Sequence, residues 1–131
     1  MQTDELLKKS QRALQSAQLL LAEEDCDGAC NRAYYAMFDA AKAALMVQGY
    51  SEIAMTTKTH NGLITAFSLH LIKTGVLARE LGQSFNRIEE VRLVADYLGS
   101  VIDRELAVRA VDEAGQFISV IMCQLFQEEN R

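Results

Sequence analysis

Small and apolar side chains return every three or four positions along one stretch of this chain: Cys26, Cys30, Ala33, Met37, Ala40, Ala41 and Ala44. At roughly 100° per residue they fall on one broad face of a helix. Side chains this short let neighbouring backbones come close, so the segment is expected to be the central helix of a helical packing. The opposite side carries Asn31, Tyr35 and Lys42, with Arg32 and Asp39 next to them. Close packing and a polar row thus occupy different faces. The polar row is either a solvated exterior or a binding surface.

Other segments repeat the helical period. Over residues 4–23, Leu6, Leu7, Leu14, Ala17, Leu20 and Leu21 recur on one side, with Lys8, Lys9, Arg12 and Gln15 on the other. "EEDCDG" breaks the pattern, and Asp25 or Asp27 can cap the central helix, which runs to about Gln48 with Gly49 closing it. "SEIAMTTKTH" reads as a loop, after which Thr57 or Thr59 caps a helix over residues 60–73 with Leu63, Ile64, Phe67 and Leu71 inward. A further helix through Val94 turns Leu81, Phe85, Ile88, Val91 and Ala95 to the core. Asp103 caps the last, to about Glu128, carrying Leu106, Ala110, Ala114, Phe117, Ile121 and Leu125. With no proline and short breaks, these predict an all-α fold: one domain over residues 1–131, an antiparallel bundle of about five helices. Leu93 and Val94 lie off the inward stripe, and Val108, Val111, Ile118 and Met122 widen the last helix beyond one face. So much apolar surface predicts a homodimer, with a thicker core as the alternative.

Several function classes drop out. No run approaches the roughly 18 apolar residues of a spanning helix, and no basic start leads into an apolar stretch, so neither a membrane nor a secretory signal is expected. Cys26, Cys30 and Cys123 lack CxxC spacing and are odd in number, which points to reduced thiols in the cytoplasm and no metal site. A net charge of -5 argues against a generally basic nucleic-acid binder, though not against a local basic cleft.

Three segments in order, "NRAYYAMFDAAKAAL", "KTHNGLITAF" and "FNRIEEVRLVADY", resemble the bacterial and archaeal HEPN domains (higher eukaryotes and prokaryotes nucleotide-binding), in the subgroup with RAYYAMF, K-x-H and R-x-x-ADY motifs. The resemblance implies a dimerising helical bundle, often partnered by a minimal nucleotidyltransferase in toxin–antitoxin-like operons; no cofactor is expected. Many HEPN proteins are metal-independent ribonucleases with an arginine, four to six residues, then a histidine. This chain departs from that pattern: the required positions after Arg92 hold Tyr97, Leu98 and Gly99, and those before His60 and His70 hold no arginine. No catalytic residue can therefore be carried over.

What matches the family pattern is Arg32 and Tyr35, Lys58 and His60, and Arg92, Asp96 and Tyr97. By resemblance these form a nucleotide or phosphate pocket. Arg92 would grip phosphate with Asp96 orienting it. Lys58 and His60 would lie at a helix start, where backbone amides favour anions. Tyr97 would stack a base or accept a nucleotidyl group, while Tyr34 and His70 read as structural. Three functions remain open: a nucleotide- or RNA-binding partner of a nucleotidyltransferase, an atypical metal-independent ribonuclease using His60 or Tyr97, and a purely structural dimeric module.

Overall fold

In the computed structural model, which describes residues 2–98 and 102–126, these periodicities become six helices. They are α1 (Gln2–Ala22), α2 (Cys26–Val47), α3 (Ser51–Thr56), α4 (His60–Phe67), α5 (Arg79–Leu98) and α6 (Arg104–Leu125), and α4 runs on into a π-helical turn, Ser68–Ile72. The all-α bundle is as expected. The end expected near Glu128 lies outside the described residues.

Local chemistry sets the helix starts. Asp25 accepts a hydrogen bond from the Gly28 N–H at 2.9 Å, Thr59 from Gly62 at 2.9 Å, and Asp103 from Leu106 at 2.8 Å. Each occupies one orphan amide donor of a first turn. Gly49, at φ +96°, reverses the chain after α2, and the Tyr50 N–H then closes on the Leu45 carbonyl at 2.9 Å.

The alanine stripe makes α2 the axis, touching α1, α3, α4, α5 and α6. Ala29, Ala33, Ala36, Ala40, Ala41, Ala43 and Ala44 are all sealed from solvent. Against this axis Phe67 of α4, Phe85 of α5 and Phe117 of α6 form an aromatic centre, with ring centroids 5.3 to 5.6 Å apart. Burying each ring stabilises by about 1.5–3 kcal/mol, so three helices are fixed against one another at this level.

Two expectations need correction, and for two residues of α6 the alternative of a thicker core holds. "SEIAMT" is not loop but α3, because Ala54 is buried and Ile53 packs against the core, which fixes a turn too short to show a period. Asp39 is not on an outer polar face: it is 8 % exposed where α1 crosses α2. Its carboxyl is raised above the usual carboxylate range by burial, against the opposing pull of Lys9, Lys42 and Arg32. Val111 and Ile118 are buried, because α6 packs on α1 as well as α2 and so needs two apolar flanks.

Candidate functional site

One face of α5 carries Glu89, Arg92 and Asp96 at helical spacing, and it lies against the start of α4 and the aromatic row of α2. The Arg92 Nη2 donates to both Glu89 oxygens, at 2.8 and 3.0 Å, and Nη1 donates to Asp96 Oδ2 at 3.0 Å. Arg92 and Glu89 are buried, 8 % and 6 % exposed, whereas the Asp96 side chain is 41 % exposed. Burial alone would lower the Arg92 guanidinium, but hydrogen bonds and charge from Glu89 outweigh it and hold the group above its ordinary value. Arg92 Nε has no hydrogen-bond partner among the described residues. The guanidinium instead lies over the Tyr34 ring, 4.6 Å from its centroid, so the aromatic face offsets part of that lost solvation.

His60, the first residue of α4, is fixed by the same network. Its Nδ1 lies 3.0 Å from the Tyr34 hydroxyl and 3.5 Å from Arg92 Nη2. Burial, followed by the Glu89 charge, pushes the Tyr34 hydroxyl far above the usual phenol range, so it stays a neutral donor. Nδ1 thus faces the Tyr34 hydroxyl and the Arg92 guanidinium, with Glu89 Oε2 3.9 Å away, so the ring is tied to both members of the buried ion pair. The ring stacks on Tyr34 at 5.5 Å and packs beside Phe38 at 4.9 Å, leaving 37 % of the side chain exposed.

These groups open onto a cleft of about 360 Å³ lined by Tyr35, Thr59, His60, Asn61, Glu89, Arg92, Leu93 and Tyr97. Tyr97 stands 77 % exposed at its edge. Of the residues singled out from sequence, Tyr35, His60, Arg92 and Tyr97 line the cleft, and Asp96 is bonded to Arg92 at its rim. Arg32 is not a lining residue, but its guanidinium lies 5.7 Å from the Tyr35 ring centroid, and Arg92 approaches the same ring at 6.0 Å. Lys58 is exposed and outside the lining. His70 instead stacks on Tyr50, at 4.4 Å.

Sequence reading missed two members. Glu89 sits three residues before Arg92, a spacing that by itself suggests an ion pair. Tyr34 lies four after Cys30 and three before Met37, so the wheel already turned it inward; only its contact with His60 was invisible. The effect of Glu89 on the chemistry is large. Arg92 faces two carboxylates, so the cleft offers aromatic faces, the His60 imidazole and a guanidinium whose charge is already compensated.

A family model described as HEPN domain matches residues 3–125. A UPF0332 protein of Thermotoga maritima is 36 % identical over 98 residues, covering 75 % of this chain and 70 % of that protein. A UPF0332 protein of Gloeobacter violaceus is 29 % identical over 120 residues, 90 % of this chain and 91 % of that one. A Methanocaldococcus jannaschii protein named "Putative toxin MJ0142" is 32 % identical over 94 residues, 72 % of this chain and 60 % of its own length. Among the described residues no helix is long and apolar enough to cross a membrane.

Proposed function

The chain belongs to the HEPN domain family, and from that premise we propose that it is one half of a toxin–antitoxin-like two-component system, binding nucleotide or RNA in the cleft between α2, α4 and α5. Its counterpart is a minimal nucleotidyltransferase, and it works as a cytoplasmic homodimer. Two relatives from Methanocaldococcus jannaschii that carry the name "Putative toxin" support the toxin–antitoxin setting. The observation that carries the binding reading is the pairing of aromatic faces with polar donors: Tyr97 and Tyr35 border a cleft that also holds His60 and Arg92. Base stacking on an exposed aromatic is worth about 1–3 kcal/mol, which suits an overall acidic chain that cannot rely on long-range attraction.

Titrating purified protein with fluorescein-labelled single-stranded RNA and with adenosine 5′-monophosphate tests this. Tyr97→Ala is expected to weaken binding about tenfold, in line with the stacking range, with the melting temperature unchanged because the ring is exposed. Equal affinity for wild type, Tyr97→Ala and His60→Gln removes the cleft from the reading. Absence of any binding leaves the structural module.

One observation favours ribonuclease activity as a second reading. His60 and Arg92, from different helices, stand with Nδ1 3.5 Å from Nη2, a pairing in space that no spacing in the sequence supplies. Metal-free cleavage pairs a histidine handling a proton with an arginine steadying phosphate charge, which here requires Asp96 to release Nη1. Such activity should persist in chelator and vanish in His60→Ala. RNA left intact at high protein concentration rules it out.

A further inference from the structure

Arg92 holds its two carboxylates very differently. Glu89 has 7 % of its side chain exposed and both oxygens on Nη2, so releasing it would strand a charge inside the protein. Asp96 makes a single 3.0 Å bond to Nη1 and keeps 41 % of its side chain in solvent. Turning outward moves the Asp96 carboxylate further into water and strands no charge of its own, and the Arg92 edge it leaves stays paired through Glu89 and open to an incoming anion. Nη1 is therefore the one edge of the guanidinium whose partner is exchangeable, and it belongs to a residue that lines the cleft.

Resting on the reading of this cleft as a nucleotide or RNA site, we propose that Asp96 is a built-in occupant of the anion position on Arg92, displaced by the terminal phosphate monoester of the ligand. The charge balance selects that class. An internal phosphodiester carries one negative charge and would replace one carboxylate charge with another, gaining nothing on Arg92. A terminal monoester carries roughly −1.5 to −2 at neutral pH and out-competes the carboxylate. Glu89 stays in place throughout and keeps the guanidinium from following the ligand outward. Asp96 thus sets both how tightly the cleft holds phosphate and which phosphate it prefers.

The test compares wild type with Asp96→Asn, using adenosine 5′-monophosphate, adenosine, and a short single-stranded RNA with either a 5′-phosphate or a 5′-hydroxyl. The wild type is expected to prefer the phosphorylated member of each pair. Asp96→Asn, which keeps the shape and removes the charge, is expected to bind adenosine 5′-monophosphate about tenfold more tightly, allowing for solvent screening. It should also narrow the gap between the two RNAs, since the diester no longer meets a competing carboxylate. Asp96→Glu, with the charge retained, should stay close to wild type, and melting curves confirm that each variant folds. If the wild type binds these probes and Asp96→Asn binds them no more tightly, the role given to Asp96 is wrong while the cleft reading stands. If neither protein binds RNA or adenosine 5′-monophosphate, both fall together.

Discussion

Arg92 shows how far a single residue's role depends on partners that are not conspicuous in the sequence. Read from "RLVADY" alone, it is a phosphate-gripping arginine with Asp96 beside it; in the fold its firmest partner is Glu89, buried with it. Removing Arg92 is therefore first a stability experiment. Arg92→Ala leaves Glu89 as an unpaired buried carboxylate and is expected to cost about 3–5 kcal/mol in urea denaturation. The double variant Arg92→Met with Glu89→Leu should recover most of that loss; a double variant as unstable as Arg92→Ala would mean that the charge was never the issue. Asp39 makes a prediction of opposite sign. Its folded carboxyl lies above the unfolded value, so the folded state binds the proton more tightly. The penalty is fully present above the folded value and disappears as pH falls through it toward the ordinary carboxylate range. Asp39→Asn should therefore stabilise the protein at neutral pH, with the advantage closing in acid, as followed by melting temperature against pH.

At the scale of elements, helix faces were legible wherever a period had room to repeat. The inward sets Leu63, Ile64, Phe67 and Leu71, and Leu81, Phe85 and Ile88, are buried as the wheel requires, and Thr59 and Asp103 cap their helices. What stayed hidden was decided by neighbours. The α3 turn exists because Ala54 finds a core to enter, and Asp39 is covered because α1 lies across it, neither of which a local pattern contains. The site was legible to the same degree: motif residues marked α4 and α5, but the contact between Tyr34 and His60 spans two helices and 26 positions. The start of α4 is the element on which this contact rests. Thr59→Ala removes the oxygen that receives the Gly62 N–H and should cost about 1 kcal/mol. It should also weaken cleft binding, because His60 is the first helical residue after that cap. Gly62→Ala should do at least as much harm, since an added Cβ would lie 2.7 Å from Thr57 Cγ2 and 2.8 Å from Thr59 Oγ1. Unchanged stability in both variants would show that packing from α2 and α5, not the cap, sets the position of His60.

For the whole molecule, the surplus of apolar surface divides into two parts. Val111 and Ile118 have gone into the core, whereas Val94 remains 40 % exposed on α5, beside the cleft-lining Leu93 and Tyr97. We propose that a second copy covers the Val94 side of α5, which would bring two clefts next to each other and leave Tyr97 open at the edge of each. Each chain carries a formal charge of -5, so association brings two acidic bodies together and must be driven by apolar contact against repulsion. The salt dependence follows from that sign. Shortening the Debye length from about 10 Å at 0.1 M toward 3 Å at 1 M screens the repulsion, so dimerisation should strengthen as salt rises. RNA binding should weaken over the same range, because phosphate contacts release counterions. Sedimentation equilibrium should give twice the 14.6 kDa chain mass, and Val94→Lys should shift the population to monomer by burying a charge at the joint. A species of one chain mass at every salt and protein concentration would confine the cleft chemistry to a single copy. A dimer that dissociates as salt rises would instead mean that charged groups, and not Val94, hold the two copies together.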